Sequence, residues 1–184
     1  MKIIFLDIDG VLNNRKWFSH ISNHPQDKTK TWLQKQFEPR AVSLLNDLIE
    51  AAGAKIVVSS SWRIGHTKDE LQKLLQEAGL KYDLLDYTPC KMSNYYRGNE
   101  IQWWLNDHPE VTSFVILDDN SDMLHLMDKL VKTSNNHGLQ REHIEKAKEI
   151  LGVENLNQGN CGCGSTKYGY HHPPYSHSGW TPEK

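Results

Sequence analysis

Short apolar segments alternate with amphipathic segments along most of the chain. Three of the short ones, Ile3–Leu6, Lys55–Val58 and Ser113–Leu117, are rich in β-branched or aromatic residues and have no polar face. Segments of this kind are typical of strands that are buried on both sides in a parallel sheet. The pattern therefore predicts three central strands of one sheet.

The segments between these strands have the spacing of helices. Apolar residues recur every three or four positions from Ala41 to Ala52, and Gly53 follows as a stop signal. Thr67 and Glu70 have the spacing of a capping box at the start of a second helix. A third helix is expected to begin near residues 97–100 and to end before the next proline.

The remaining segments complete an alternating order. Residues 82–96 are expected to hold a short strand or a loop, a helix is expected to run through Leu130, and a strand and a helix are expected at residues 131–133 and 141–151. Strands that alternate with helices imply a parallel sheet with right-handed crossovers. We therefore expect an α/β fold, a Rossmann-like three-layer sandwich with a central parallel sheet.

Two regions fall outside this order. Residues 13–40 are polar and aromatic without a clear period, which indicates a small insertion near the carboxyl edge of the sheet and a candidate lid. Residues 157–184 contain no Val, Ile or Leu and are rich in Gly, Pro, Tyr and His, so they cannot build a core. We expect one domain at residues 1–156, followed by a tail, with no segment long enough for a large cap domain.

Charge and cysteine content restrict the function classes. A formal net charge of -2 over 184 residues excludes a globally basic nucleic-acid binder and leaves only local patches. Asp7 interrupts the first apolar run, and no later run has the length of a membrane span, so we expect neither a signal peptide nor a membrane partner. Three unevenly spaced cysteines suit a reducing compartment, and we expect a cytoplasmic protein.

Carboxylates directly follow two of the predicted strands. Asp7 and Asp9 come after the first strand, and Asp118 and Asp119 come after the third. The carboxyl ends of parallel strands share one edge of the sheet, where α/β proteins bind ligands. Paired carboxylates repel each other and lose hydration, so they require a cation or hydrogen-bond donors. The set predicts a metal site, although Asp7 and Asp9 taken alone are also compatible with solvated acids that cap the next helix.

The sequence Asp7-Ile8-Asp9-Gly10 resembles the opening motif of the haloacid dehalogenase (HAD) superfamily of phosphatases, and the resemblance covers roughly residues 1–150. It implies a HAD-like sandwich and a Mg²⁺-dependent phosphatase. In that family Asp7 would be the nucleophile that forms an aspartyl-phosphate. Asp9 would protonate the leaving oxygen and then help to deprotonate the attacking water.

The resemblance also assigns the later motifs. Ser59 would hydrogen-bond the phosphoryl group, with Ser60 as the alternative in the register. The third motif is usually a lysine, and here Arg97 occupies its place in the string RGNEI, with Lys91 as the alternative cation. Arg63, which follows the serines, is expected to contact the substrate at the rim of the site.

The implied Mg²⁺ ligands come from both acidic strand ends. Asp118 and Asp119 would complete a shell that includes an Asp7 oxygen and the backbone carbonyl of Asp9. Asp122 is expected to be either a further acid of this site or an early-helix residue that the helix dipole favours.

Within the superfamily, the strings VVSSSWR and ILDDNSDM look most like the HAD domains associated with RNA repair proteins, and more distantly like the 3′-phosphatase half of polynucleotide kinases. The implied substrates are nucleic-acid 3′-phosphate ends or nucleotides. No GxxxxGK[ST] loop occurs in the chain, so a kinase or ligase acting on the same ends would be a separate partner.

The insertion gives a second argument for a nucleic-acid substrate. Six basic residues stand there against two acids, and Trp17, Phe18 and Trp32 are interleaved with them. Basic charge combined with stacking rings suits single-stranded RNA or DNA. The alternative is an ordinary solvated insertion whose aromatic rings pack on the core.

Two other function classes share some of these residues. A metal-dependent nuclease would use the carboxylates but would need neither a nucleophilic Asp7 nor Arg97, and a non-catalytic module that binds phosphate or RNA ends would show no turnover. The ordered set of motifs favours the phosphatase. In the tail, possible zinc ligands match no familiar zinc motif, so we expect a flexible or loosely docked tail; these are Cys161, Cys163, His171, His172 and His177.

Overall fold

A computed structural model describes residues 1–24, 27–90 and 96–153 of the chain. Its strands are β1 (Lys2–Leu6), β2 (Lys55–Val58), β3 (Leu84–Tyr87), β4 (Ser113–Asp118) and β5 (Leu130–Lys132). They form one sheet in the order β3-β2-β1-β4-β5, and every neighbouring pair is parallel. The predicted α/β sandwich with a central parallel sheet is confirmed.

Helices cover both faces of this sheet. They are α1 (Arg15–Asn23), α2 (Trp32–Lys35), α3 (Pro39–Ala52), α4 (Trp62–Gly65), α5 (Lys68–Glu77), α6 (Arg97–Asn106) and α7 (Arg141–Ile150), together with a 3₁₀ helix at Leu124–Lys129. Ile4 and Leu6 of β1 point into a core formed with α3, α5 and α7, whereas Ile3 and Phe5 point into a core formed with α6 and the 3₁₀ helix. Burial on both faces explains why β1 has an uninterrupted apolar sequence.

Most helix boundaries agree with the sequence signals. The helix predicted from Ala41 begins at Pro39, because proline is well tolerated in the first turn. It ends at Ala52, and Gly53 follows in the left-handed conformation (φ 60°). The predicted capping box of Thr67 and Glu70 is present at the start of α5. Among the described residues, none of the helices has the length and apolar character needed to cross a membrane.

The insertion is more regular than its sequence pattern suggested. It contains α1, a helix of nine residues with a single buried residue, Ile21, so the segment is too short for its period to be recognised from the sequence. Local capping defines the helix instead, since the side chain of Asn14 accepts a hydrogen bond from the backbone amide of Trp17 at 2.8 Å.

The helix expected to run through Leu130 is a 3₁₀ helix that ends at Lys129. Leu130 is the first residue of β5 and pairs with Ile116 of β4, so the last residue of the predicted helix belongs to the sheet instead. The division into residues 1–156 and 157–184 stays a prediction, because residues 154–184 lie outside the described part of the chain.

Candidate active site

The carboxyl ends of three adjacent strands meet at one edge of the sheet. The sheet hydrogen bonds continue past the strand ends: the amide of Asp7 donates to the carbonyl of Leu117, and the amide of Ser59 donates to the carbonyl of Leu6, both at 2.9 Å. This pairing fixes the loop after β1 between the loops after β2 and β4. Predicted site residues from three separate segments are thereby brought together.

Three carboxylates form a compact cluster at this edge. Asp7, Asp118 and Asp119 each place one oxygen within 4.8 Å of the others, and Asp118 is completely buried. Gly10 leaves the space for Asp119, because a Cβ atom at Gly10 would lie 2.5 Å from the Asp119 carboxylate. Gly10 also has a φ of 71°, which favours glycine, so the DxDG turn is shaped to admit the acid from β4.

Arg97, the first residue of α6, supplies positive charge to this cluster. Its Nη1 atom lies 3.2 Å from Oδ1 of Asp7 and 3.2 Å from Oδ2 of Asp118. Burial alone would lower the pKa of the guanidinium, but the charges of Asp7 and Asp118 outweigh burial and raise it. Arg97 is therefore a permanent cation that joins the acids of β1 and β4.

Among the described residues only Arg97 pairs with this cluster, and its one positive charge does not balance three carboxylates. Burial, followed by the charge of Asp7, raises the pKa of Asp118 to about 7, and the same two causes raise the pKa of Asp119. Oδ2 of Asp118 is buried and accepts no hydrogen bond from a described residue. Such a set of carboxylate oxygens with a deficit of positive charge fits a hard divalent cation such as Mg²⁺.

The side chain of Asp9 takes a different direction from that of Asp7. Asp9 is exposed, and both of its carboxylate oxygens accept hydrogen bonds. Oδ1 accepts from Nδ2 of Asn13 at 2.7 Å, and Oδ2 accepts from Nε1 of Trp62 at 3.0 Å. The side chain is therefore held at the mouth of the site. A metal ligand from Asp9 would have to be its backbone carbonyl, as the resemblance implies.

The two candidate serines differ in their contacts. Both are completely buried, but Oγ of Ser60 accepts a hydrogen bond from the backbone amide of Trp62 at 3.4 Å, whereas Oγ of Ser59 has no partner among the described residues. An unpaired buried hydroxyl is costly unless a ligand completes it. This difference favours Ser59 as the hydroxyl that contacts a phosphoryl group.

Arg63 is used within the protein. Its guanidinium donates to the backbone carbonyls of Ser59, Ser60 and Thr88 and pairs with Glu100 at 2.6 Å. These bonds fix the serine loop against α6, so the geometry gives no support to the prediction that Arg63 contacts substrate. Lys91, the alternative cation, lies outside the described residues, and its role stays a prediction.

Three contacts of the site were not predicted from the sequence. They are the two hydrogen bonds from Asn13 and Trp62 to Asp9 and the bond from the backbone amide of Arg97 to Oδ2 of Asp122 at 3.1 Å. The sequence does place Trp62 after the serine cluster and Asn13 after the DxDG turn, so both residues could be expected near the site. Sequence spacing carries no information on where their side chains point.

Residues 3–144 match a family model described as the HAD domain in Swiss Army Knife RNA repair proteins. The match includes every site residue discussed above. No curated protein and no solved structure matches the chain.

Proposed function

Because the chain belongs to the family of HAD domains in Swiss Army Knife RNA repair proteins, we propose that it is a Mg²⁺-dependent phosphomonoesterase that works through an aspartyl-phosphate on Asp7. The observation that carries this proposal is the contact of buried Asp7 with Arg97, which also pairs with Asp118. A nucleophilic carboxylate must be ionised and must meet positive charge where phosphate oxygens arrive. Arg97 satisfies both requirements.

The proposed reaction has two displacement steps at phosphorus. In the first, a carboxylate oxygen of Asp7 bonds to phosphorus, the bond from phosphorus to the ester oxygen breaks, and Asp9 gives that oxygen a proton. In the second, a water oxygen bonds to phosphorus, Asp9 takes a proton from the water, and the bond between phosphorus and Asp7 breaks. The products are an alcohol and inorganic phosphate, and both aspartates return to their initial states.

Other residues stabilise charge and position in both steps. Arg97 faces the region in which the phosphoryl oxygens would lie, and the unpaired hydroxyl of Ser59 can donate to one of them. Asp7, Asp118 and Asp119, with the backbone carbonyl of Asp9, would hold the Mg²⁺ ion. When bound, the ion supplies positive charge that offsets the negative oxygens of the phosphoryl group.

The proposed substrate is a nucleic-acid 3′-phosphate end, and a nucleotide is the smaller alternative. The ring of Trp32 is 59% exposed and stacks on Phe18 with ring centroids 6.3 Å apart. Lys16 and Arg40 line a cavity of about 240 Å³, which is also lined by Glu38, His137 and Gln140. An exposed stacking ring and basic side chains within one insertion suit a single strand, whose bases and phosphates need both.

Trp17 contributes less to this platform than its sequence position suggested. It is half-buried, and its Nε1 atom donates to the carbonyl of Lys35 at 2.9 Å. Its main role is therefore to hold the insertion together. A kinase or ligase that acts on the same ends is the proposed partner of this domain.

The first experiment measures phosphate release from p-nitrophenyl phosphate, a panel of mononucleotides and a 3′-phosphorylated oligonucleotide, each with Mg²⁺ and with EDTA. We expect Mg²⁺-dependent release that Asp7→Asn abolishes and a higher kcat/KM for the oligonucleotide. Internal strand cleavage would support a nuclease instead. Tight binding without release would support a non-catalytic module.

A second experiment tests the insertion as a substrate contact. Trp32→Ala should raise the KM for the oligonucleotide and leave the kinetics of p-nitrophenyl phosphate unchanged, since only the long substrate would stack on this ring. Met127→Ala serves as a control, because Met127 is also an exposed apolar residue (46%) but lies in the 3₁₀ helix. Equal effects on both substrates would contradict a role in strand binding.

A further inference from the structure

We propose that Trp62 is a positioning residue that holds the carboxylate of Asp9 in the orientation required for proton transfer. The inference rests on the proposed function, since it concerns the residue assigned as acid and base. Trp62 would thereby join the site through one hydrogen bond, the bond from its indole to Asp9.

Asp9 needs an external constraint because it is exposed. An exposed aspartate samples several rotamers, whereas a proton donor must stay within hydrogen-bond reach of the leaving oxygen. Here two donors bind different oxygens of one carboxylate, Asn13 at Oδ1 and Trp62 at Oδ2. Two bonds to different oxygens fix both the direction of the side chain and the rotation of the carboxylate plane.

The two donors come from different segments of the chain. Asn13 belongs to the loop of Asp9 itself, and its own Oδ1 accepts a hydrogen bond from the amide of Gly10 at 3.1 Å. Trp62 follows β2 and the serine cluster. The bond from Trp62 therefore couples the orientation of Asp9 to the loop that carries Ser59.

The indole is itself held in place by packing. Its ring lies against Phe37, with centroids 5.3 Å apart, and stacks on His66 at the same distance and an interplanar angle of 15°. The ring nitrogen Nδ1 of His66 also lies 3.1 Å from the carbonyl of Trp62. Because Phe37 belongs to the main core, the direction of the indole N–H is set by the fold.

The chemistry of the indole suits this position. Its N–H group donates but cannot accept a hydrogen bond, and it is neutral. It can therefore orient Asp9 without adding charge and without competing with the leaving oxygen for the proton. The amide nitrogen of Asn13 is likewise only a donor, and the amide oxygen of Asn13 accepts a hydrogen bond from the backbone amide of Gly10 instead.

The test uses two esters that differ in their need for a proton. The alcohol of a nucleoside 3′-monophosphate is a poor leaving group that must be protonated, whereas nitrophenolate leaves readily without a proton. Trp62→Phe removes the donor and keeps a ring against Phe37 and His66. We expect its kcat/KM to fall about tenfold to a hundredfold for the nucleotide and less than about threefold for p-nitrophenyl phosphate.

Trp104→Phe is a matched control. Trp104 also donates from its indole to an aspartate, Asp86 Oδ2 at 2.7 Å, and it also stacks on a histidine four residues later, His108. The control should affect both esters equally. Trp62→Leu, which also lacks the donor, should repeat the selective loss with a somewhat larger effect on stability.

The outcomes separate this inference from the proposed function. Asp9→Asn should show the same ester dependence as Trp62→Phe, but with a larger loss on the nucleotide. If Asp7→Asn is inactive but Trp62→Phe resembles wild type, or loses activity equally on both esters, the positioning role is wrong and the phosphatase stands. If wild type hydrolyses neither ester, the proposed function fails, and the role of Trp62 fails with it.

Discussion

The backbone amide of Arg97 donates a hydrogen bond to Oδ2 of Asp122 at 3.1 Å, and the next amide, that of Gly98, donates to the backbone carbonyl of Asp122 at 3.1 Å. Asp122 thus binds the first two amides of α6, which have no partners within the helix. A side chain at residue 98 would collide with the carbonyl of Met123, so this close approach requires glycine. The segment after β4 thereby fixes the position from which Arg97 reaches Asp7.

We predict that Asp122→Ala reduces both stability and activity. Loss of the cap should lower the free energy of unfolding by about 1 kcal/mol. Displacement of Arg97 should lower kcat/KM by about tenfold to a hundredfold. Thr67→Ala removes a comparable cap from α5, a helix that does not carry Arg97, and should lower stability without changing the kinetics. Denaturant titrations and phosphate release on both variants check this, and equal kinetics for the two would contradict it.

A second prediction separates the two candidate third-motif cations. Arg97→Met leaves buried Asp7 and Asp118 without their counter-ion, so we expect the metal-free protein to lose about 3 kcal/mol of stability and activity to fall by about 10²-fold or more. Lys91→Met should stay close to wild type in both respects. Arg97→Lys should recover part of the activity, because it restores charge but not the planar guanidinium. A larger loss in Lys91→Met than in Arg97→Met would reverse the assignment.

Local signals predicted the parts of this site that depend on strand ends, and missed the parts that depend on side-chain direction. Asp7 and Asp118 could be placed together because buried strands are recognised by their apolar composition, and the carboxyl ends of parallel strands lie at one edge of the sheet. Trp62 and Asp9 are 53 positions apart, and Arg63 and Glu100 are 37 apart. No sequence period connects residues so far apart. The hydrogen bond from Trp62 to Asp9 and the internal role of Arg63 therefore become visible only in the folded structure.

The buried carboxyl of Asp118 should make the stability of the metal-free protein depend on pH. Burial and the charge of Asp7 raise its pKa to about 7, compared with about 3.9 in an unfolded chain. Between these values the folded state binds the extra proton, so this group makes the free energy of unfolding fall as the pH rises from about 4 to about 7. Asp118→Asn should remove that part of the pH dependence, whereas Asp47→Asn, on the exposed side of α3, should keep it.

Denaturant titrations in EDTA at pH 5 and pH 8 measure this effect. From pH 5 to pH 8 the free energy of unfolding of wild type should fall more than that of Asp118→Asn. Mg²⁺ should stabilise wild type more at pH 8 than at pH 5, because the ion binds the ionised carboxylates. Parallel pH profiles for wild type and Asp118→Asn would show that another group is responsible.

The last prediction concerns the glycine of the opening motif and uses a second glycine as its control. Gly10 and Gly53 both have left-handed backbone conformations, with φ of 71° and 60°, so alanine at either position should cost about 1–2 kcal/mol of stability. At Gly10 the new methyl group would meet a site residue, since its Cβ would lie 2.5 Å from the Asp119 carboxylate, whereas at Gly53 no atom of the described residues would lie within 4 Å. Gly10→Ala should therefore displace Asp119 and weaken Mg²⁺ binding by about tenfold or more, while Gly53→Ala should bind the ion as wild type does. Isothermal titration with Mg²⁺ measures the difference without any substrate, and equal affinities for the two variants would mean that Asp119 does not contribute to the metal site.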